Sequence, residues 1–289
     1  MFRLALVPLV LVVALGAGGA RGDGGGPSPG AQQGWDGVLA PGGQMRYVAL
    51  WAGRQTAVAA IRVHGGRVMR STAIRGGYGI PLVANDGTAG GLSADGKTLV
   101  LATYATIPSR QAVTRFAVLS TKNLRLRRAV TLRGSYSFDA ISPDGSAMFL
   151  IQYLSLNTAT QEAHYRVRAF DLVAGRLLEG AITDRREPDE KMQGQPVTRA
   201  SSRDSTWAYT LSSRYVSKGF VHALDTRHRA AVCIDLPWNV PANVRMGLSS
   251  DGRQLVLRQP AIGRLAVIDT KTFRLQTLKK PVAPGSPVQ

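Results

Sequence analysis

The sequence predicts an all-β protein, a β-propeller of four-stranded antiparallel blades, and three observations lead to this prediction. A turn of the Ser-x-Asp-Gly type recurs between apolar segments, and its copies lie about fifty residues apart. No segment shows the 3.6-residue apolar period of a helix. A period near fifty that is built from short strands is typical of propeller blades. Because five copies are present, we expect five blades, with six or seven as the alternative.

The turn is clearest between Ile141 and Ala147, where the sequence reads Ser-Pro-Asp-Gly-Ser. Ser and Asp side chains accept hydrogen bonds from nearby backbone N–H groups, and Gly takes a positive φ at little cost, so the pattern predicts a hairpin. The five markers are separated by 53, 49, 60 and 47 residues and are Gly42, Asp95, Asp144, Asp204 and Asp251. The residues that we assign to structural turns are Asp95, Gly96, Asp144, Gly145, Asp204, Asp251 and Gly252.

A second repeated element follows each marker. It consists of an apolar strand, a short polar turn and an arginine that opens another strand, at Arg67, Arg125, Arg176, Arg229 and Arg274. Aspartates recur at equivalent positions of this turn, which marks them as turn-forming residues rather than paired acids: Asp171, Asp225 and Asp269. Each blade therefore contains four strands, with the innermost strand first. In the middle blade we expect strands near 136–142, 147–153, 165–172 and 176–183.

The N-terminal segment predicts export. Residues 1–20 contain a basic residue, an apolar stretch from Leu4 to Leu15 and small residues for cleavage, which together are typical of a secretory signal peptide. Residues 21–34 read as a flexible Gly/Pro linker, 35–280 as the propeller and 281–289 as a Pro-rich tail. We expect an extracellular or cell-envelope protein, on the periplasmic or cell-wall side. It would be anchored if the signal stays uncleaved, and only the N-terminal segment would contact a membrane.

The net charge restricts the classes of molecule that the protein is expected to bind. Lys and Arg number 36 against 18 Asp and Glu, which gives a net charge of +18. Such an excess attracts polyanions, although arginine-rich usage also follows from genome base composition. Export argues against nucleic acid as a partner, so an envelope polyanion, a glycan or a protein remains. Because Cys233 is the single cysteine, the chain has no internal disulfide. We expect the protein to be a monomer.

Two segments resemble known repeat families. Ser142-Pro143-Asp144-Gly145 resembles the turn of WD-repeat-like propellers of the TolB type, and Val267–Thr272 is similar to the repeat of exported YVTN-type propellers. The resemblance extends from Leu39 to about Lys280 at the level of the repeat. It implies the fold and the turn residues. Because scaffolds, transport accessories, lactonases and peptidase-associated domains share these repeats, it implies no catalytic residue.

The strand order predicts where a ligand binds. The Ser-x-Asp-Gly turns and the arginine-opening turns fall on one rim, and the longer connections fall on the other, where we expect a ligand. Aromatic and amide side chains there suit sugars or other flat apolar faces. Some of these rings also stand where inter-blade core residues are expected, and both interpretations stay open. The candidate ligand-binding residues are Trp51, Tyr78, Tyr104, Tyr153, Trp238 and Asn243.

A charged segment lengthens one repeat. It runs from Asp184 to Lys191 and predicts either a solvated loop, a partner contact or, through its carboxylates, a calcium site. The candidate partner-contact residues are Arg185, Arg186, Glu187, Asp189 and Glu190.

Enzyme motifs are absent from the sequence. The four histidines occur singly, without zinc-binding spacing, and neither a Gly-x-Ser-x-Gly elbow nor a phosphate loop occurs. We therefore expect no catalytic residues, no metal and no cofactor. The predicted function is an exported, non-catalytic binding or protein-interaction scaffold. The alternative is a lactonase- or hydrolase-like propeller enzyme with a metal at the mouth of the channel.

Overall fold

The computed structural model describes residues 36–104, 111–157, 159–160, 162–188, 192–215 and 217–282. Every regular element in these ranges is a β-strand, which confirms the predicted all-β class. The strands form five antiparallel sheets, which we number 1 to 5 in chain order and which fit the blades of a β-propeller. The predicted signal peptide and linker, and residues 283–289 of the predicted tail, lie outside the described residues.

The first three sheets follow the predicted order of strands. Sheet 1 consists of β1 (Val38–Leu39), β2 (Met45–Ala52), β3 (Gln55–Arg62) and β4 (Val68–Arg75). Sheet 2 consists of β5 (Thr98–Ala102), β6 (Val113–Ser120) and β7 (Leu126–Arg133), and bridges attach Gly79 and Leu92 to β5. Sheet 3 consists of β8 (Ser135–Ile141), β9 (Ala147–Asn157), β10 (Glu162–Asp171) and β11 (Arg176–Leu177), with β12 (Met192–Gln193) also paired to β10.

The last two sheets repeat the same order. Sheet 4 consists of β13 (Gln195–Ser201), β14 (Trp207–Ser213), β15 (Phe220–Asp225) and β16 (Ala230–Asp235). Sheet 5 consists of β17 (Arg245–Leu248), β18 (Gln254–Gln259), β19 (Gly263–Asp269) and β20 (Leu275–Thr277). The fourth strand of the middle blade is shorter than the predicted 176–183. Strand β11 ends at Leu177, and beyond it only an isolated bridge joins Ile182 to Val167.

The recurrent turns are closed by side-chain hydrogen bonds. In each, an Asp Oδ1 accepts a bond of 3.0–3.1 Å from the backbone N–H two residues on, at Asp95, Asp144, Asp204 and Asp251. Hydrogen bonds from Thr206 and Ser202 lower the pKa of Asp204 to about 2. Gly145 has a φ of 72°, and a Cβ there would lie 2.5 Å from Thr98 Oγ1, so only glycine fits where this turn packs against sheet 2.

The second turn of three sheets uses an aspartate in the same way. Asp171, Asp225 and Asp269 each accept backbone N–H bonds from residues two and three positions on. We call the rim that carries both kinds of turn the turn rim. The opposite ends of the strands, with the connections 76–88, 214–219 and 236–244, form the loop rim.

Four apolar clusters join consecutive sheets. The cluster between sheets 1 and 2 contains Tyr47 and Leu119, and the one between sheets 2 and 3 contains Phe116. The next two are centred on Phe149 and Tyr209 and join sheets 3 to 4 and 4 to 5. In the described residues no such cluster joins sheet 5 to sheet 1, so closure of a five-bladed ring stays a prediction.

Candidate functional site

The first strands of sheets 1, 3 and 4, together with residues 88–94 before β5, line a cavity of about 310 Å³. Its wall includes Leu39, Gly91, Ile141 and Ser201, and it reaches Arg203 on the turn rim. Toward the loop rim, Val83 and Thr88 belong to a hairpin that extends from the connection between sheets 1 and 2 to sheet 4. Backbone N–H groups at the tip of this hairpin, at 85 and 86, donate to the carbonyls of residues 196 and 197 in β13. The cavity therefore lies between this hairpin and Arg203 of the turn rim, whereas the sequence predicts a ligand on the loop rim.

A buried ion pair forms part of the cavity wall. Arg199 of β13 donates through Nη1 and Nη2 to Asp139 Oδ1, at 2.7 Å each, and through Nη1 to Thr210 Oγ1 at 2.6 Å. Its Nη2 also donates to the Asp139 carbonyl. The two side chains are only 4% and 6% exposed. Asp139 is the extra residue of a β-bulge in β8, and this bulge turns its carboxylate toward sheet 4.

His222 is neutral and lies on the same face of sheet 4 as Arg199. Thr210 stands opposite both Arg199 and His222 in the strand register, so all three project toward sheet 3. His222 is flanked on its strand by Phe220 and Leu224, which belong to the apolar cluster between sheets 3 and 4. Burial lowers the pKa of His222 to about 4, with Asp139 opposing the shift and Arg199 adding to it. The interface between sheets 3 and 4 thus combines an apolar core with a buried polar group.

The three aromatic residues at equivalent repeat positions do not meet. Trp51 is 55% exposed at the loop-rim end of β2, and its Nε1 donates to the Gly53 carbonyl. Tyr104, which follows β5, is 47% exposed. Tyr153 lies in β9, where its hydroxyl is 3.0 Å from Ser137 Oγ, and burial raises its pKa. Two of the rings are thus available to a ligand, on neighbouring sheets.

The other three candidates lie in the inter-sheet connections. Tyr78 is 7% exposed in the cluster between sheets 1 and 2, and Trp238 is 7% exposed in the cluster between sheets 4 and 5. Asn243 follows Trp238 in one connection, and its Oδ1 accepts a bond of 2.9 Å from Gln259 Nε2. Trp238 and Asn243 therefore belong to the same connection, which leads into sheet 5 on the loop rim.

The charged segment is attached to sheet 4 by its first aspartate. Asp184 Oδ2 accepts a bond of 2.8 Å from the Cys233 N–H, and Arg186 forms an ion pair with the same carboxylate at 2.5 Å. Burial raises the pKa of Asp184, but the hydrogen bonds from Arg186 and from the Cys233 backbone outweigh it and lower the pKa to about 2. Arg185 and Glu187 are exposed, and Asp189 and Glu190 lie outside the described residues.

The described part of the chain has neither a cluster that could bind a metal nor a helix that could span a membrane. Nowhere in it do three side chains among His, Cys, Asp and Glu come together in a way that could hold a metal ion. In the same residues, no helix has the length and apolar character needed to cross a bilayer.

Comparisons with known proteins give a likeness in fold. No protein-family model and no curated protein matches the sequence. Among solved structures, hydrazine synthase of Kuenenia stuttgartiensis matches with a TM-score of 0.51 and 17% identity, over 81% of this chain and 70% of that one. TolB of Acinetobacter baumannii matches with a TM-score of 0.47 and 13% identity, over 82% and 52%. The propeller of Dos1 matches with a TM-score of 0.44 and 13% identity, over 81% and 57%.

The likeness to hydrazine synthase confirms the predicted propeller fold, and TolB, which the sequence resembles in its turn, is among the matching structures. The chain spans about half the length of TolB and of the Dos1 structure. At this level of identity the likeness concerns the fold alone.

Proposed function

We propose that this chain is an exported, non-catalytic β-propeller that binds an anionic polymer of the cell envelope through its loop rim. The observation that carries the proposal is the unequal use of charge on the two rims. Seven aspartates lie among the basic residues of the turn rim, whereas the exposed arginines of the loop rim have few carboxylates near them.

On the turn rim, seven carboxylates act as turn-forming acceptors. Each takes at least one backbone N–H bond within its own turn: Asp95, Asp144, Asp171, Asp204, Asp225, Asp251 and Asp269. These seven belong to a total of 18 acidic residues in the chain. A large share of the negative charge is therefore fixed on the rim that faces away from the proposed ligand.

Both rims carry exposed basic residues, but the loop rim has none of these seven carboxylates. Its exposed basic residues are Arg54, Arg75, Arg133, Arg185, Lys218, Arg245, Arg258, Arg264 and Lys279. Within the described residues none of these nine forms an ion pair. The acidic groups of this rim are partly occupied, because Asp184 pairs with Arg186 and Asp235 lies 3.8 Å from Arg214. A surface of one sign, with few internal partners, attracts a polymer of the other sign.

Export supports an envelope ligand over nucleic acid. The proposal rests here on the sequence of residues 1–20, in which a basic residue precedes an apolar stretch and small residues. Outside the cytoplasm, the abundant polyanions are cell-surface polymers, and a rigid propeller supplies a fixed surface on which charges keep their spacing.

Co-sedimentation with purified anionic cell-wall polymer across a salt series tests this function. We expect binding that persists at about 150 mM salt, where the Debye length is about 8 Å and simple long-range attraction is screened. A neutral polysaccharide of similar length is the control and should not sediment the protein. Absence of binding at low salt, or binding lost well before about 150 mM, would contradict the proposal.

A further inference from the structure

Three arginines stand opposite one another on adjacent strands of sheet 5. Arg245 of β17 pairs with Arg258 of β18, and Arg258 pairs with Arg264 of β19. Residues directly opposite in an antiparallel pair have Cβ atoms about 4.5–5.5 Å apart. All three side chains are exposed and lie at the loop-rim ends of their strands. We call Arg245, Arg258 and Arg264 the arginine row.

A β-bulge creates the row. The register shifts between Leu257 and Arg258, so that Leu265 is an extra residue between the pairs Leu257–Ala266 and Arg258–Arg264. Leu265 and Ala266 are both fully buried against sheet 4. Because side chains alternate along a strand, the bulge places Arg264 on the face of sheet 5 that points away from sheet 4, where it joins Arg258. Without the extra residue, Arg264 would point into the apolar cluster.

No carboxylate in the described residues neutralises the positive charge of the row. Within the described ranges, none of the three guanidinium groups forms an ion pair with a carboxylate. Arg245 Nη1 donates to the carbonyls of Ala242 and Val244, at 2.9 and 3.0 Å. Lys279, whose Nζ donates to the Ile262 carbonyl at 3.3 Å, adds a fourth positive charge nearby. Like charges directly opposite one another destabilise a sheet, so the row has an energetic cost in the free protein.

The surroundings of the row are held in place. Gln259, next to Arg258, is 1% exposed and donates through Nε2 to Asn243 and to the Val282 carbonyl. Its Oε1 accepts a bond from the Val282 N–H at 3.1 Å. One buried amide thus fixes the connection that leads into Arg245 and the segment that follows β20. A ligand would meet guanidinium groups on a backbone that is already ordered.

We propose that the arginine row binds phosphate groups of a phosphodiester polymer, which deepens and rests on the proposed polyanion-binding function. Each guanidinium offers planar N–H donors in a fork that matches carboxylate or phosphate oxygens. One carboxylate is satisfied by one such fork. Three adjacent forks fit a phosphate whose tetrahedral oxygens face more than one arginine, or phosphates that follow one another along a chain.

The test compares three forms of the full chain: wild type, R245Q/R258Q/R264Q, and the control R67Q/R125Q/R253Q. The control removes the same charge from exposed arginines of the turn rim. Each form is titrated with poly(glycerol phosphate), and with polyglutamate as a carboxylate polymer. We expect the row variant to bind poly(glycerol phosphate) roughly tenfold or more weakly, with a salt dependence shallower by about two phosphate contacts. The control should stay within about twofold of wild type.

The outcomes separate the two proposals. If wild type binds neither polymer, the proposed function fails and this inference fails with it. If wild type binds but both variants weaken equally, polyanion binding stands, and both the loop rim as the binding face and the arginine row as the site are wrong. Equal affinity for polyglutamate would overturn the phosphate class. Since the row is electrostatically unfavourable in the free protein, the row variant should unfold at the same or a higher denaturant concentration than wild type, which excludes misfolding as the cause of lost binding.

Discussion

Replacing Asp139 by alanine is expected to lower the free energy of unfolding by roughly 3–5 kcal/mol. The carboxylate is 6% exposed and is the partner of Arg199, which is 4% exposed. Removing it leaves a guanidinium buried between sheets 3 and 4 without its counter-charge, and a buried unpaired charge is costly. Urea unfolding of wild type and D139A, followed by intrinsic fluorescence, measures the difference.

The double variant Asp139→Leu/Arg199→Met is the matched control for this prediction. It removes both charges and keeps apolar volume, so it should lose much less stability than D139A, and the pair should show strong coupling in a double-mutant cycle. A cost below about 1 kcal/mol for D139A would show that water reaches the guanidinium, contrary to the burial described.

Acidification is expected to destabilise the protein through His222, by roughly 2 kcal/mol between pH 7 and pH 5. The pKa of this histidine is about 4 in the folded chain against an ordinary 6.5. Between these values the unfolded state binds more protons than the folded state, so the free energy of unfolding falls as the pH falls. The contribution is fully present above pH 6.5 and is lost as the pH approaches 4.

Urea unfolding at a series of pH values, on wild type and two histidine variants, measures this dependence. His222→Leu should flatten the profile between pH 7 and pH 5. His64→Leu, which changes an exposed histidine in the turn between β3 and β4, is the matched control and should retain the wild-type profile. If H222L loses stability on acidification as wild type does, other groups cause the effect. The groups that act on His222 are Asp139, Arg199 and Asp184.

The repeat was predictable because its signals are local. A Ser, an Asp and a Gly within five residues set the turn, and the hydrogen bonds at Ser142 and Asp144 stay inside it. The apolar segments on either side then pair as hairpins, and the order of strands in each sheet follows from short connections. This is why the all-β class and the strand order are evident from the sequence without any long-range contact.

The buried ion pair was not predictable, because it depends on register between distant residues. Asp139 and Arg199 are separated by 60 positions, and a bulge in β8 sets the direction of the carboxylate. Neither residue stands out in a motif. The bulge at Leu265 has the same effect on the arginine row, since Arg258 and Arg264 flank a short connection whose sequence suggests no bulge.

The rim for ligand binding was predicted from topology, and the residues were chosen by type. Aromatic side chains suit a glycan, but large apolar side chains also fill the space between adjacent sheets, and Tyr78 and Trp238 are buried there. Alternation along a strand does not distinguish a ring that faces solvent from one that faces the next sheet. The signal that sequence reasoning passed over is the concentration of arginines at strand ends.

The most direct test of the account is hydrogen–deuterium exchange of the full chain with and without anionic cell-wall polymer. Polymer binding at the loop rim predicts slower exchange at the loop-rim end of sheet 5, in residues 236–245 and 258–264, where the arginine row lies. It predicts no change in the turns at 93–98, 142–147 and 249–254 on the opposite rim. Protection confined to those turns, or spread equally over both rims, would contradict the claim that the loop rim is the polymer-binding face.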